Sequence, residues 1–157
     1  MTKEQRHYCM SRIRSVDTRP ELVVRRFLHR SGFRYSLHRG DLPGRPDIVL
    51  RKYHTVIFIN GCFWHGHPLC RYARLPKSNP EFWAEKIRRN KERDADDVAR
   101  LEAWGWNVLV VWECELKPSC RDSRLELLAR QLRQRLEPDA IHHVPASVRR
   151  LSNAIEE

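Results

Sequence analysis

Apolar positions along the chain change period several times, and each change marks an element. After Thr18-Arg19-Pro20-Glu21, the residues Leu22, Val23, Phe27 and Leu28 recur with helical spacing up to Gly32. The opening tetrad has the spacing of a capping box, in which the Thr18 hydroxyl takes the third helical N–H and Glu21 reaches back to the cap. Residues 33–38 alternate like a strand. Leu42-Pro43-Gly44-Arg45-Pro46 holds too many breakers to be anything but a turn. Two short β runs follow, 47–50 and 55–59, and their separation by residues 51–54 predicts an antiparallel pair. Ser78-Asn79-Pro80-Glu81 caps a long helix, with Pro at its first position, that ends near Gly105. The continuous apolar run 107–112 predicts a strand in the centre of the sheet. Residues 121–136 read as an amphipathic helix, and the polar tail after Pro138 is expected to be loosely held. This alternation predicts an α/β fold, one mixed sheet covered on both faces.

The stripe of the long helix is interrupted. It runs Trp83, Ile87, Asn90, Asp94, Val98 and Leu101, so Asn90 and Asp94 stand where burial is expected. Two readings fit. Asp94 faces a cation, a metal ligand or a hydrogen-bond donor inside the fold, or the helix draws away from the core at mid-length.

Composition narrows the partners. The 157 residues are enough for one domain with a hydrophobic core. Thirty Lys+Arg against 20 Asp+Glu give a formal charge of +10, and five Trp, four Tyr and five Phe add stacking surface. That combination suits a polyanion, although a generically basic protein carries the same charge. No segment has the apolar length of a membrane span. Met1 to His7 lacks the apolar core of a secretory signal, and five cysteines is an odd count. The expectation is therefore a cytoplasmic protein whose cysteines are thiols or metal ligands. The expected organisation is a single domain over 1–137, with a basic segment over 1–16 carrying Arg12 and Arg14, and a tail over 138–157.

The chemistry gathers directly after the second β run. Asn60-Gly61-Cys62-Phe63-Trp64-His65-Gly66-His67-Pro68-Leu69-Cys70 packs two thiols, two imidazoles and two large rings at a strand end, where α/β proteins usually keep their sites. Cys62 and His67 are four residues apart, His67 and Cys70 two, and Cys114 follows the later apolar strand. Three thiolates and one imidazole suit a closed, structural zinc site; the alternative is several unrelated buried cysteines. Cys9 and Cys120 look unattached, Cys120 being the weaker candidate ligand. Pro46-Asp47 aims a carboxylate from a strand end toward the loop that holds Asn60 and His65. One such carboxylate is enough for Mg2+, which can activate water for phosphodiester cleavage. Imidazoles titrate near neutral pH, so His65 can carry the proton. Glu21 can assist, although capping already accounts for it.

These residues also carry a family resemblance. Leu42-Pro43-Gly44-Arg45-Pro46-Asp47, Gly61-Cys62-Phe63-Trp64-His65-Gly66-His67, Phe82-Trp83-Ala84-Glu85-Lys86-Ile87, Asn90 through Asp94, and Gly105-Trp106 to Trp112-Glu113-Cys114 resemble, in order, the very-short-patch mismatch repair endonucleases. The resemblance runs from about Ser11 to Leu116. It implies a restriction-endonuclease-like three-layer α/β/α fold with a central mixed sheet and one structural zinc. It also implies Mg2+-dependent nicking of one strand, 5′ to the T of a T·G mismatch left by deamination of 5-methylcytosine. Position by position, Asp47 matches the metal carboxylate, His65 the catalytic histidine and Glu21 the N-terminal acidic residue that works with it. Cys62, His67, Cys70 and Cys114 match the zinc ligands. Phe63, Trp64 and Trp83 match rings that wedge into the duplex, whereas Trp64 and Trp83 otherwise read as core. Arg12 and Arg14 then contact DNA.

The family's best-known member has Thr-His where this chain has Ile59-Asn60. Ile59 can give Mg2+ the same main-chain carbonyl, but Asn60 is neutral and can only accept from water or bind phosphate. One extra residue also stands between His67 and Cys70. The partners implied are duplex DNA with a T·G mismatch and, beyond it, mismatch-repair proteins, with monomeric action. Two other readings remain: a nicking nuclease without mismatch specificity, and a zinc-stabilised DNA-binding module without catalysis.

Overall fold

The Thr18 hydroxyl accepts from the Glu21 N–H (3.5 Å) while the Glu21 carboxylate accepts from the Thr18 N–H (3.3 Å), so the capping box forms as its spacing requires. It opens α1 (Arg19–Arg30), the first element of a computed structural model that describes residues 16–135 together with Gln5 and Tyr8. The basic segment with Arg12 and Arg14 and the tail after Pro138 lie outside the described residues. Then come β1 (Ser36–Leu37), β2 (Ile48–Leu50), β3 (Thr55–Asn60), α2 (Pro80–Ala103), β4 (Asn107–Trp112) and α3 (Arg121–Gln134). Short 3-10 turns occupy Arg51–Tyr53, Arg71–Ala73 and Glu113–Leu116.

The strands form one mixed sheet in the order β1-β2-β3-β4. β2 and β3 are antiparallel, with Ile48 opposite Ile57, as expected from their spacing. β3 and β4 are parallel over six pairs, from Thr55 opposite Asn107 to Asn60 opposite Trp112. A parallel pair needs a long crossover, which α2 supplies. Both faces are covered, because successive strand residues point to opposite sides. Ile48, Leu50, Ile57 and Val111 pack with Val24 and Leu28 of α1 and with Leu125, Leu128 and Leu132 of α3. Val49 and Val56 pack with Leu101 of α2 on the other side.

Four sequence expectations need correction. The strand expected over 33–38 is only Ser36–Leu37, because its partner is short and His38 turns into the left-handed region at φ 45°. β4 is the edge of the sheet rather than its centre. It reads as continuously apolar because helices lie against both its faces, and its open edge is sealed by side chains. Arg124 donates to the Val110 carbonyl (3.0 Å), and Glu115 accepts from the Trp112 N–H (2.8 Å). In α1 the most buried residues are Glu21, Val24, Arg25 and Leu28, while Leu22, Val23 and Phe27 are half-buried. Two charged residues can turn inward because they stand at i,i+4 and pair at 2.7 Å. Asn79, finally, precedes α2 in a left-handed conformation and makes no side-chain cap bond.

Leu28 is fully buried between α3 and the sheet. Leu28→Ala should lower unfolding free energy by about 2–5 kcal/mol in a urea titration; a loss well under 1 kcal/mol would show that the α1–α3 layer is not a fixed part of the core.

Candidate functional site

The functional side chains collect where β3 ends. The Ile59 N–H donates to Asp47 Oδ2 at 2.7 Å, so the carboxylate preceding β2 is fixed to the last turn of β3. Burial pushes the Asp47 carboxyl up from its ordinary range; the Ile59 N–H opposes the rise and the negative charge of Glu21 adds to it. Glu21 is almost wholly buried and accepts from the Asp17 N–H (3.1 Å), the Thr18 hydroxyl (2.8 Å) and the Arg25 guanidinium (2.7 Å). Sequence reasoning missed two members of this corner. His38 lies with Nε2 3.5 Å from Glu21 and Nδ1 3.9 Å from Asp47, and Arg25 donates to its Nε2 at 2.8 Å. Arg25 was findable from its i,i+4 spacing to Glu21. His38 left no signal, being a lone histidine in a loop.

Past β3, the backbone folds into tight turns, with the His65 N–H on Gly61 O (3.2 Å) and the His67 N–H on Cys62 O (2.9 Å). Helix α2 clamps them. Asp94 Oδ2 meets His65 Nδ1 at 2.5 Å, and Asn90 donates to the Trp64 carbonyl at 2.9 Å. The polar interruption of the helix stripe is therefore where α2 grips the loop. Gly66 is required at this contact: its φ is +58°, and a Cβ would lie 2.7 Å from the buried Ile87. Asn60, His65, Asp94, Lys91 and Arg93 line a groove of about 770 Å3, floored by Phe58 and Trp112. Asp47 does not line it; its link to this strand end is the Ile59 N–H.

Cys62, His67, Cys70 and Cys114 present ligand atoms that all lie within 4.8 Å of one another. Their separation follows from the sheet, as Cys62 and Cys114 each stand two residues beyond the paired ends Asn60 and Trp112. His67 stacks on Trp112 (4.1 Å between ring centres, 7°), which turns Nδ1 to 3.4 Å from Cys114 Sγ. Tetrahedral ligand sulfurs sit roughly 3.8 Å apart for zinc–sulfur bonds of about 2.3 Å, so three thiols and an imidazole this close fit such an ion. Burial, and then the neighbouring Cys62 and Cys70, push the Cys114 thiol up to about 12; a divalent cation reverses this by binding the thiolates. Cys120 lies outside the group, with Sγ 3.4 Å from the Cys114 and Glu115 carbonyls.

Phe63, Trp64 and Trp83 pack edge to face at 5.1–6.0 Å and belong to neither core cluster. Phe82, a residue the sequence did not single out, adds a fourth ring 5.3 Å from Trp83 and is 58% exposed. Lys86 Nζ lies 5.5 Å from the centre of Trp64 and 5.7 Å from that of Trp83. Rings grouped beneath a cation, on a chain of charge +10, mark the surface of a protein that acts on nucleic acid.

Comparison with known proteins gives the particular family. A family model described as DNA mismatch endonuclease Vsr matches residues 1–71. The type II nicking enzyme V.XorIIP of Xanthomonas oryzae is 49% identical over 138 residues, which cover 88% of this chain and 96% of that one. The type II nicking enzyme V.NmeAIP of Neisseria meningitidis is also 49% identical, over 84% of this chain and 94% of its own. The DNA mismatch endonuclease Vsr of Escherichia coli is 42% identical over 86% and 83%. The chain belongs to the Vsr DNA mismatch endonuclease family, and by that membership it is a DNA endonuclease.

The raised Asp47 carboxyl has a consequence for stability. A folded-state rise adds stability at acid pH, where the group is protonated, and that contribution is lost as pH rises through the folded value. In the absence of divalent cations, Asp47→Asn should thus melt above wild type at pH 7, the gap closing toward acid. A variant that melts no higher at pH 7 would refute the buried, unfavourable charge.

Proposed function

We propose that the protein nicks one strand of duplex DNA 5′ to the T of a T·G mismatch, by Mg2+-dependent hydrolysis within a single endonuclease domain over 1–137. The observation that carries this reading is the pairing of two fixed groups at one strand end: Asp47 tied to Ile59, and His65 tied to Asp94. The fold is of the restriction-endonuclease-like kind, with zinc at Cys62, His67, Cys70 and Cys114 holding the catalytic loop to the end of β4. Its role is structural, because four protein ligands leave no open position.

Asp47 and the Ile59 main-chain carbonyl would hold the Mg2+. When bound, that ion lowers the pKa of water and offsets charge on the phosphodiester. Asp94 takes the Nδ1 side of His65 and leaves Nε2 to exchange a proton with water or the scissile phosphate. Asn60, which lines the same groove, orients water or a phosphate oxygen and moves no proton. Phe63, Trp64, Trp83 and Phe82 enter the duplex beside the mismatch, where stacking offsets the few kcal/mol of lost base stacking. A mismatched pair unstacks more easily than a paired one, which favours the mismatch. Arg12 and Arg14 contact the phosphates. The protein acts as a monomer.

The deciding assay is strand-specific nicking of a short duplex holding one T·G mismatch in Mg2+. A single cut 5′ to the T is expected, absent from the paired duplex and from Asp47→Ala. Equal cutting of paired DNA would replace this reading with a nuclease lacking mismatch specificity, and tight binding without cutting would leave a recognition module. His65→Ala should cost about 10²–10⁴ in kcat. Folded protein should carry one zinc per chain by elemental analysis, and a content well below that would reject the zinc assignment.

A further inference from the structure

The corner behind Asp47 has the form of a second cation site, and the chain supplies the cation itself. Asp17, Glu21 and His38 present ligand atoms that all lie within 4.8 Å of one another. Into that space Arg25 donates three bonds: from Nη1 to Asp17 Oδ1 (2.6 Å), and from Nη2 to Glu21 Oε2 (2.7 Å) and His38 Nε2 (2.8 Å). Arg25 and Glu21 are 7% and 2% exposed, so neither charge is tolerable there alone. The buried Nε of Arg25 has no acceptor, a further cost of placing the guanidinium here.

The consequences run on to Asp47. A guanidinium can only donate, so His38 Nε2 must be the accepting nitrogen and the ring proton sits on Nδ1. Nδ1 faces Asp47 Oδ1 at 3.9 Å, while Asp47 Oδ2 is held by the Ile59 N–H. The Asp47 carboxylate is thus bounded on one side by backbone and on the other by a histidine whose tautomer Arg25 fixes. We propose that Arg25 takes the place of a second divalent ion beside Asp47: it neutralises Asp17 and Glu21, orients His38, and so positions Asp47 for a single bound metal. This rests on the reading of Asp47 as the metal carboxylate.

The test counts Mn2+ bound to the zinc-loaded full chain by electron paramagnetic resonance, with T·G nicking kinetics alongside. Wild type should bind one Mn2+. Arg25→Met removes the cation and keeps the side-chain bulk, so Asp17, Glu21 and His38 should take a second Mn2+ and the count should rise to two. A folded Arg25→Met that still binds one overturns the proposal. Arg25→Lys keeps the charge but cannot span three acceptors as the planar fork does. It should still bind one Mn2+, with kcat reduced about 10- to 100-fold and the KM for DNA unchanged, through misplacement of Asp47. Wild-type kcat in Arg25→Lys overturns the proposal even if Arg25→Met does not fold. A wild-type count of zero would instead remove the metal reading of Asp47 itself, and one Mn2+ without nicking would remove only the proposed activity.

Discussion

The parallel pairing of β3 with β4 is the constraint on which both the metal cluster and the groove depend. Its register sets Asn60 opposite Trp112, so that the two chains leave the sheet side by side. Two residues further on, each delivers a cysteine to the same point in space. Strand register is fixed by burying one side-chain set against α1 and α3 and the other against α2, and a slip of one residue would reverse both faces. The hydrophobic core therefore aligns four ligands that lie as far apart in sequence as Cys62 and Cys114.

Helix α2 then converts a loop into a site. Its apolar residues Ile87 and Leu101 are buried, and between them the polar Asn90 and Asp94 reach the backbone of Trp64 and the ring of His65. The same helix brings Trp83, Phe82 and Lys86 to the rings of the loop. One rigid element thus fixes a histidine, a loop carbonyl and a cluster of aromatic rings, which is the kind of support a site needs when misplacement by an ångström is costly.

Electrostatic strain is concentrated beside this frame. Asp47, Glu21 and Arg25 are charged groups held largely out of water at one corner, and the capping box that starts α1 also presents the Glu21 carboxylate to Arg25. Glu21 serves local structure and the site at once: its backbone sits in the first turn of the helix and its oxygens face inward. A buried arginine satisfied by three partners is a poor source of stability but a good source of specificity, because no other side chain offers the same fork.

By itself the sequence determined the elements and the chemistry-bearing positions. Helical spacing and caps marked the three helices, breakers marked the turns, the 47–50 and 55–59 runs gave an antiparallel pair, and the Cys62, His67, Cys70 and Cys114 set was visible in side-chain type and spacing. Those features are local, set by residues a few positions apart. Only the tertiary structure decided the rest. β4 could not be assigned to the edge from its composition, because covering by two helices makes an edge strand as apolar as a central one. Asp94 could not be paired with His65, nor Arg25 with His38, because those contacts join residues 29 and 13 positions apart and depend on how the helices lie across the sheet. Long-range pairings between polar side chains have no period to betray them, and packing alone chooses the partner.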